Sequence, residues 1–165
     1  MQRILLVAAV FAFSGSAVAQ TPNAMPGEQA VDPYTVSNAN AGATPIADPK
    51  VLDAFHGQDG LRRIVDDLVK TSHDDPRISE IFKATDLVRL RRTLFEQFCY
   101  VLGGGCAYTG RDMKTAHKDM GLQASDMNAL VENLQAAMRR EGVPFSDQNK
   151  LLAKLAPQKR DMMER

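Results

Sequence analysis

Apolar residues recur every three to four positions in four long stretches after residue 51, which is the period of an amphipathic helix. The four predicted helices cover 59–73, 87–102, 125–141 and 146–162. Asp86 precedes the second helix, Ser125 and Ser146 begin the third and fourth ranges, and all three residues are expected to act as caps. No alternating pattern of strand length is present, so the sequence predicts an all-α fold.

Proline and glycine mark where these helices stop. Pro76 follows the first helix, and the residue before a proline avoids the helical conformation. Glycines at 103–105 end the second helix, and a short helix over 113–120 is expected to stop at Gly121. Pro157 is expected to kink or end the fourth helix.

The first nineteen residues have the three parts of a secretory signal peptide. Arg3 supplies a positive start, 4–13 is an apolar run, and Ala17-Val18-Ala19 is a small-x-small cleavage site. The run is shorter than the roughly 20 apolar residues that span a bilayer, so a membrane anchor is the less favoured alternative. We therefore expect cleavage after Ala19, a bacterial periplasmic or secreted protein, and no stable membrane span afterwards.

Residues 20–50 hold five prolines among alanine, asparagine, glycine and threonine, without an apolar period. This composition predicts a flexible leader, followed by one domain over 51–165. The full chain of 165 residues carries 20 basic and 20 acidic side chains, a balance that argues against a nucleic-acid binder.

His117 is the candidate functional residue. It follows a glycine-rich loop and lies on the predicted short helix, with Met113 four residues earlier on the same face. No second histidine or cysteine stands beside it at the spacing of a zinc site. A single neutral imidazole that faces an apolar cavity suits a haem iron, whose other four ligands come from the porphyrin.

Five blocks of the sequence resemble group I truncated haemoglobins. The most specific block is 108–117, Tyr-Thr-Gly-Arg-Asp-Met-Lys-Thr-Ala-His, and the others are 61–67, 75–82, 85–90 and 103–104. The resemblance covers nearly all of the predicted helical domain but neither the signal nor the leader. It implies a two-over-two helical sandwich around haem b, with His117 as the proximal iron ligand. The imidazole must then be neutral, with its other nitrogen donating to a backbone carbonyl.

The resemblance also implies which side chains contact the cofactor. Phe82 matches an aromatic residue that packs on the porphyrin face, and basic residues match positions near the anionic propionates. The implied contact residues are Phe82, Thr85, Arg89, Leu90, Leu94, Tyr108, Met113, Lys114, His117, Leu122, Met127 and Leu130. Ordinary core packing is the alternative for the apolar members.

The distal side departs from the pattern of the family. Val69 stands where relatives commonly carry a tyrosine, Leu90 and Leu94 stand where they often carry a polar group, and Thr93 is short. The expected distal pocket is therefore apolar and consists of Leu68, Val69, Leu90, Leu94 and Phe98. Oxygen in such a pocket lacks a hydrogen bond that contributes on the order of 1 kcal/mol. We expect weak, fast-releasing oxygen binding and relatively favoured CO and NO.

Two further features remain open in the sequence. Cys99 and Cys106 can form a disulfide in an oxidising compartment if their Cα atoms lie within about 7 Å, or they can remain two small thiols. His56 and His73 are expected at the surface, and either could reach an iron only after a rearrangement of the chain.

The expected function is binding of O2, NO or CO at a histidine-ligated haem iron. Oxygen carriage, NO sensing or scavenging, NO dioxygenation and weak peroxidase activity all remain possible uses. Turnover would need an external reductase, because no flavin or nicotinamide motif is present. The alternative from another class is a haem-free periplasmic helical binding or adaptor module.

Overall fold

The structure is a computed structural model that describes residues 24–163. The predicted signal peptide and its cleavage site lie outside the described residues. The α-helices are α1 (Lys50–Ala54), α2 (Gly57–Asp74), α3 (Ser79–Phe82), α4 (Leu87–Val101), α5 (Met113–Ala116), α6 (Ala124–Arg140), α7 (Phe145–Leu155) and α8 (Lys159–Met162). Two 3-10 turns cover Asn38–Ala41 and Ala156–Gln158. Residues 24–163 contain no strand, so the all-α prediction is confirmed.

One core lies between the long helices. The apolar stripe of α2 is buried on a shared cluster to which α4, α6 and α7 also contribute. The α2 side chains in this cluster are Leu61, Ile64, Val65, Leu68 and Val69, each at most 2% exposed. Burying a side chain of this kind stabilises the fold by about 1.5–3 kcal/mol. The stripe therefore fixes how α2 packs against α4 and α6.

The predicted ends of the helices were partly right. Asp86 caps α4, since its carboxylate accepts from the backbone N–H groups of Val88 and Arg89 at 3.0 and 3.1 Å. The first long helix ends at Asp74, as the following proline indicated. Pro157 interrupts the last one, because α7 stops at Leu155 and a 3-10 turn precedes α8.

Both serine caps were wrong. Gln123 caps α6 through a capping box. Its side chain accepts from the backbone N–H of Asp126, and the side chain of Asp126 accepts from the backbone N–H of Gln123. The helix α7 begins directly after Pro144, whose carbonyl accepts from the amides of Asp147 and Gln148. In each case another residue just upstream satisfies the free amides, so the serine lies inside the helix.

The segment 24–50 differs from the flexible leader that its composition predicts. Its residues contact the helical body throughout, and a buried Glu28 and a fully buried Ala41 lie within it. Hydrogen bonds to backbone groups and one ion-pair cluster hold the segment, rather than an apolar stripe. Such contacts have no period in the sequence, which is why a pattern of small polar residues and prolines did not reveal them.

Cys99 and Cys106 form a disulfide, with Cα atoms 5.7 Å apart. The bridge joins the last turn of α4 to the loop that leads to α5. The chain turns between them through Gly103, whose φ of +76° favours glycine and where a Cβ would lie 2.7 Å from the carbonyl oxygen of Ile46. No helix within residues 24–163 is long and apolar enough to cross a bilayer.

Candidate functional site

A cavity of about 340 Å³ opens between α3 and α4 on one side and α5 and α6 on the other. Its size falls within the range of about 300–1,000 Å³ that is typical of cofactor and ligand pockets. Most of the lining is apolar, and polar side chains reach it from a few positions only. The cavity is therefore suited to a largely apolar molecule with a small number of polar groups.

Local capping places His117 beside this cavity. Asp112 caps α5, since its Oδ1 accepts from the amide of Thr115 at 2.9 Å, and this bond lowers the pKa of the Asp112 carboxyl. The helix is only one turn long, and His117 is its C-terminal cap rather than a residue within a longer helix over 113–120. The half-buried imidazole lines the cavity.

The hydrogen-bond partner of His117 shows which ring nitrogen carries a proton. The Nδ1 atom of His117 lies 2.7 Å from the carbonyl oxygen of Met113. A carbonyl oxygen can only accept, so Nδ1 carries the proton and donates it. In the neutral ring that a metal ligand requires, the lone pair is then on Nε2. An Nε2 lone pair on a ring oriented by a backbone carbonyl is the usual arrangement of a metal-binding histidine.

Eleven of the twelve expected contact residues line the cavity. They are Phe82, Thr85, Arg89, Leu90, Leu94, Tyr108, Met113, His117, Leu122, Met127 and Leu130. They come from α3, α4, α5 and α6 and from the segments that connect these helices. The twelfth, Lys114, is exposed to solvent on α5 and lies outside the lining, because it is one residue from Met113 and so points about 100° away around the helix.

The expected distal pocket is divided in the structure. Leu90 and Leu94 line the cavity, whereas Leu68, Val69 and Phe98 do not and are instead buried in the main core. The physical reason is the helical period. Successive helical residues are about 100° apart, so Gln97 lies only about 20° around α4 from Leu90 and continues its face, whereas Phe98 lies about 80° away and turns toward α2.

Several lining residues were not predicted from the sequence. They are Ile78, Ile81, Asp86, Thr93, Gln97, Ala116, Met120 and Asp126. The α4 members could have been found by extending the spacing from Leu90, because positions 93, 94 and 97 follow it at intervals of three and four. Gln97 matters most, since it places a buried amide in the wall of the cavity.

The polar groups of α4 in this wall have their donors engaged. The hydroxyl of Thr93 donates to the carbonyl oxygen of Arg89 at 2.9 Å. The amide nitrogen of Gln97 donates to the carbonyl oxygen of Ala41 at 3.0 Å and to Oε1 of Gln158 at 2.9 Å. Neither side chain therefore has a free N–H or O–H for a small polar molecule in the cavity.

Arg89 is also held from outside the cavity. Its guanidinium donates to the carbonyl oxygen of Gln29 and to the carboxylate of Glu28. The side chain lies at the boundary between the cavity and the 24–50 segment. Its positive charge can thus be near an anionic edge of a bound molecule, but part of its hydrogen-bonding capacity is already used.

Tyr108 is a buried phenol that lines the cavity from the loop before α5. Its hydroxyl donates to the carbonyl oxygen of Arg111 at 3.0 Å, and burial raises the pKa of the phenol well above its ordinary value. The group is therefore neutral at physiological pH. A Cβ on Gly110 would lie 2.2 Å from this hydroxyl oxygen, so only glycine leaves room for the phenol there.

The other two histidines lie away from the cavity. The ring of His56 is half-exposed and bonds to Glu141 at 3.0 Å, and that of His73 bonds to Asp74 at 3.3 Å. Across residues 24–163, no group of three or more His, Cys, Asp or Glu side chains is arranged to hold a metal ion. A metal at His117 would thus need its remaining ligands from a cofactor.

These residues fit a haem. His117 offers one neutral nitrogen, Phe82, Met113 and Leu122 offer apolar contacts, and Arg89 offers positive charge at the boundary. The porphyrin supplies the ligands that the protein lacks. A helical sandwich around a cavity with one such imidazole defines a two-over-two globin.

Comparison with known proteins gives the family. The model of the family described as "Bacterial-like globin" matches residues 50–164, and the chain belongs to this family. Similar proteins include the group 1 truncated haemoglobin of Tetrahymena thermophila, 34% identical over 100 residues, which are 61% of this chain and 81% of that protein. The truncated haemoglobin of Tetrahymena pyriformis is 27% identical over 113 residues, or 68% of this chain and 93% of the relative.

Solved structures agree with this assignment. The crystal structure of the Tetrahymena pyriformis truncated haemoglobin in its Fe(III) form matches with a TM-score of 0.66 and 27% identity, over 70% of this chain and 98% of that one. The 2/2 haemoglobin of Synechococcus sp. PCC 7002 matches with a TM-score of 0.65 at 21% identity, over 70% and 98%, and supports the fold alone. The two-over-two fold is thus confirmed, and haem is the cofactor of this family.

Proposed function

We propose that this protein binds a diatomic gas at a haem iron held by His117, that it releases oxygen quickly, and that it favours the less polar ligands NO and CO. Membership of the globin family supports the general class, haem-based gas binding. The finer preference rests on the cavity wall formed by α4.

The observation that carries the preference is that Leu90, Thr93, Leu94 and Gln97, the α4 lining residues beyond Arg89 at the boundary of the cavity, offer no free donor. Leu90 and Leu94 are apolar, and the donors of Thr93 and Gln97 are engaged by carbonyl and amide oxygens. A hydrogen bond to a polar ligand is worth about 0.5–1.5 kcal/mol net. Without this hydrogen bond, bound oxygen is less stable, whereas bound CO is affected less because it is less polar.

When bound, haem would supply an iron centre that can bind a gas. The chain itself would hold the cofactor through His117, pack it with Phe82, Met113 and Met127, and exclude water with the leucines of α4. The Met113 carbonyl keeps the ring of His117 in one tautomer and orientation. Leu90, Leu94 and the engaged side chains of Thr93 and Gln97 provide no free proton donor and no histidine base beside the ligand, so gas binding is favoured over peroxidase chemistry.

Absorption spectra of the ferric, ferrous and CO-bound protein, with the oxygen dissociation rate from stopped flow, test this proposal. We expect a Soret band after reconstitution, a CO-bound spectrum typical of histidine ligation, and rapid oxygen release. No Soret band would instead favour the haem-free adaptor. Oxygen release as slow as in relatives with a distal tyrosine would contradict the apolar pocket.

The proposed compartment is the bacterial periplasm or the exterior. The signal-like residues 1–19 support it, and so does the Cys99–Cys106 disulfide, because such bridges persist in oxidising compartments. Any redox cycle would then require a separate reductase there. The mass of the protein recovered from a periplasmic extract tests the proposal, since cleavage after Ala19 leaves Gln20 as the first residue.

A further inference from the structure

We propose that residues 28–41, here called the strap, hold two walls of the haem cavity together and thereby slow the loss of haem. The proposal rests on haem occupying the cavity, and it adds a structural role for a segment whose sequence predicts only a leader. Five cavity-lining residues contact the strap directly: Asp86, Arg89, Gln97, Tyr108 and Met113.

The first anchor of the strap is Glu28, on the α4 wall. Its side chain is 1% exposed, and its carboxylate accepts from Nε and Nη2 of Arg92, the latter at 2.9 Å, and from Nε of Arg89 at 3.4 Å. Arg92 is also buried and donates to Glu96 at 3.0 Å. A carboxylate removed from water in this way is costly to separate from its arginines. The anchor therefore holds the strap firmly to α4.

The next residue of the strap reaches the beginning of α4. The amide of Gln29 donates to Oδ2 of Asp86 at 2.8 Å, and its carbonyl oxygen accepts from Arg89. Asp86 uses its other oxygen, Oδ1, to cap the helix. Both Asp86 and Arg89 line the cavity, so the strap restrains two of its residues at the N-terminal end of α4.

The second anchor is a set of hydrogen bonds to the loop that precedes α5. The amide of Tyr108 donates to Oδ1 of Asn38 at 2.8 Å, and the hydroxyl of Tyr34 donates to the carbonyl oxygen of Thr109 at 2.8 Å. Asn40 donates to the carbonyl oxygen of Gly110 at 3.1 Å. Each of three consecutive buried residues of this loop thus has one backbone group that is hydrogen bonded to the strap.

The third anchor connects the strap to the histidine. Ala41 is fully buried and packs with Tyr108 and Met113 in a small cluster of their own. Its carbonyl oxygen accepts from the amide of Gln97 on α4. The carbonyl of Met113 in turn accepts from the ring of His117. Ala41 therefore touches the α4 wall with its backbone and the wall that carries His117 with its side chain.

The consequence concerns the separation of the two walls. Haem leaves a globin when the cavity opens, and here α4 can move away from α5 and its loop only after one set of strap contacts breaks. Glu28 and Gln29 hold the α4 side, and residues 34–41 hold the other. Opening thus costs either the buried ion pair of Glu28 or the hydrogen bonds of residues 34–41, and a globin without the strap loses neither.

Haem transfer from the full-length ferric protein to excess apomyoglobin tests this role. The variants are Glu28→Gln, which neutralises the first anchor, and a double variant Tyr34→Phe with Asn38→Ala, which removes two bonds of the second. The matched control is Glu141→Gln. Its carboxylate also holds an arginine, Arg63, and is mostly buried, but it contacts no cavity residue. We expect transfer at least fivefold faster in both strap variants and within twofold of the wild type in the control.

A second measurement keeps the proposal testable if one of the variants misfolds. Hydrogen exchange at the Tyr108 amide reports the strap contact directly, and we expect slow exchange in the wild type and faster exchange after Asn38→Ala. The single Tyr34→Phe variant keeps its ring and should fold even if the double variant does not.

Three results would overturn the proposal. If the strap variants release haem at the wild-type rate, the role of the strap is wrong, but the proposed gas binding is unaffected. Rapid exchange of the Tyr108 amide in the wild type would show that the strap is not docked. A wild-type chain that gives no Soret band after reconstitution would remove both this proposal and the proposed function.

Discussion

The carbonyl oxygen of Met113 accepts from Nδ1 of His117 at 2.7 Å and also from the backbone amide of His117 at 3.2 Å. One acceptor thus fixes both the main chain and the ring of the same residue. The result is an imidazole with a defined orientation and a protonated Nδ1 at the end of a one-turn helix, and such a short helix by itself would be marginal in water. The cap from Asp112 and burial of Met113 hold that turn in place.

Replacing this ligand tests the site. His117→Ala removes the only imidazole that lines the cavity among residues 24–163, so we expect loss of most haem retention. Added imidazole should restore a Soret band if the cavity is otherwise intact. His73→Ala is the control, because that ring is exposed and bonds to Asp74. Equal haem retention in the two variants would contradict the assignment.

A donor placed on α4 should slow oxygen release. Leu94→Gln puts an amide on the cavity wall, and one new hydrogen bond of about 1 kcal/mol should lower the oxygen dissociation rate roughly fivefold, while CO dissociation changes much less. Stopped-flow measurements of both ligands check this.

Val131→Gln on α6 is the control for that experiment, since Val131 is 38% exposed and outside the lining. An oxygen dissociation rate unaffected by Leu94→Gln would mean that the side chain of residue 94 does not face the gas.

The stability of the protein should fall in acid through Glu28. Hydrogen bonding to Arg92 lowers the pKa of its carboxyl from 4.5 to about 2. A lowered pKa means that the ion pair stabilises the folded state above the ordinary pKa, and that this contribution is lost as the pH falls through about 2. The shift corresponds to roughly 3 kcal/mol.

Chemical denaturation at several pH values checks that prediction. Glu28→Gln should be less stable than the wild type at neutral pH and should lose less stability between pH values near 5 and 2. Glu132→Gln is the comparison, because its carboxylate also pairs with an arginine but is 61% exposed. If Glu28→Gln kept the full acid dependence of the wild type, another carboxyl would be responsible.

Reduction of the disulfide should destabilise the chain modestly. A bridge that closes a loop with a separation of 7 residues is expected to contribute about 2 kcal/mol, because short loops lose little entropy on closure. A reductant should therefore lower the free energy of unfolding of the wild type by about that amount. The double variant Cys99→Ala with Cys106→Ala should be insensitive, and an equal response of both proteins would mean that the bridge is absent.

The sequence predicted the parts of this molecule that depend on local rules. The period of apolar residues gave the long helices, proline gave their ends at Asp74 and Leu155, and Asp86 was recognisable as a cap. The block around His117 indicated the family. These features depend on neighbours within one or two turns, so they can be read without knowing the fold.

Tertiary structure decided which side chains share the cavity and what the leader does. Phe98 and Gln97 are adjacent in the sequence, yet one is buried in the core and the other lines the cavity, because only the packing of α4 on α2 sets the rotation of the helix. Likewise, Glu28 lies 64 residues from its partner Arg92. No local sequence pattern indicates a buried ion pair between residues so far apart in the chain. The two charges meet only after the helices have packed and the chain has folded back across them.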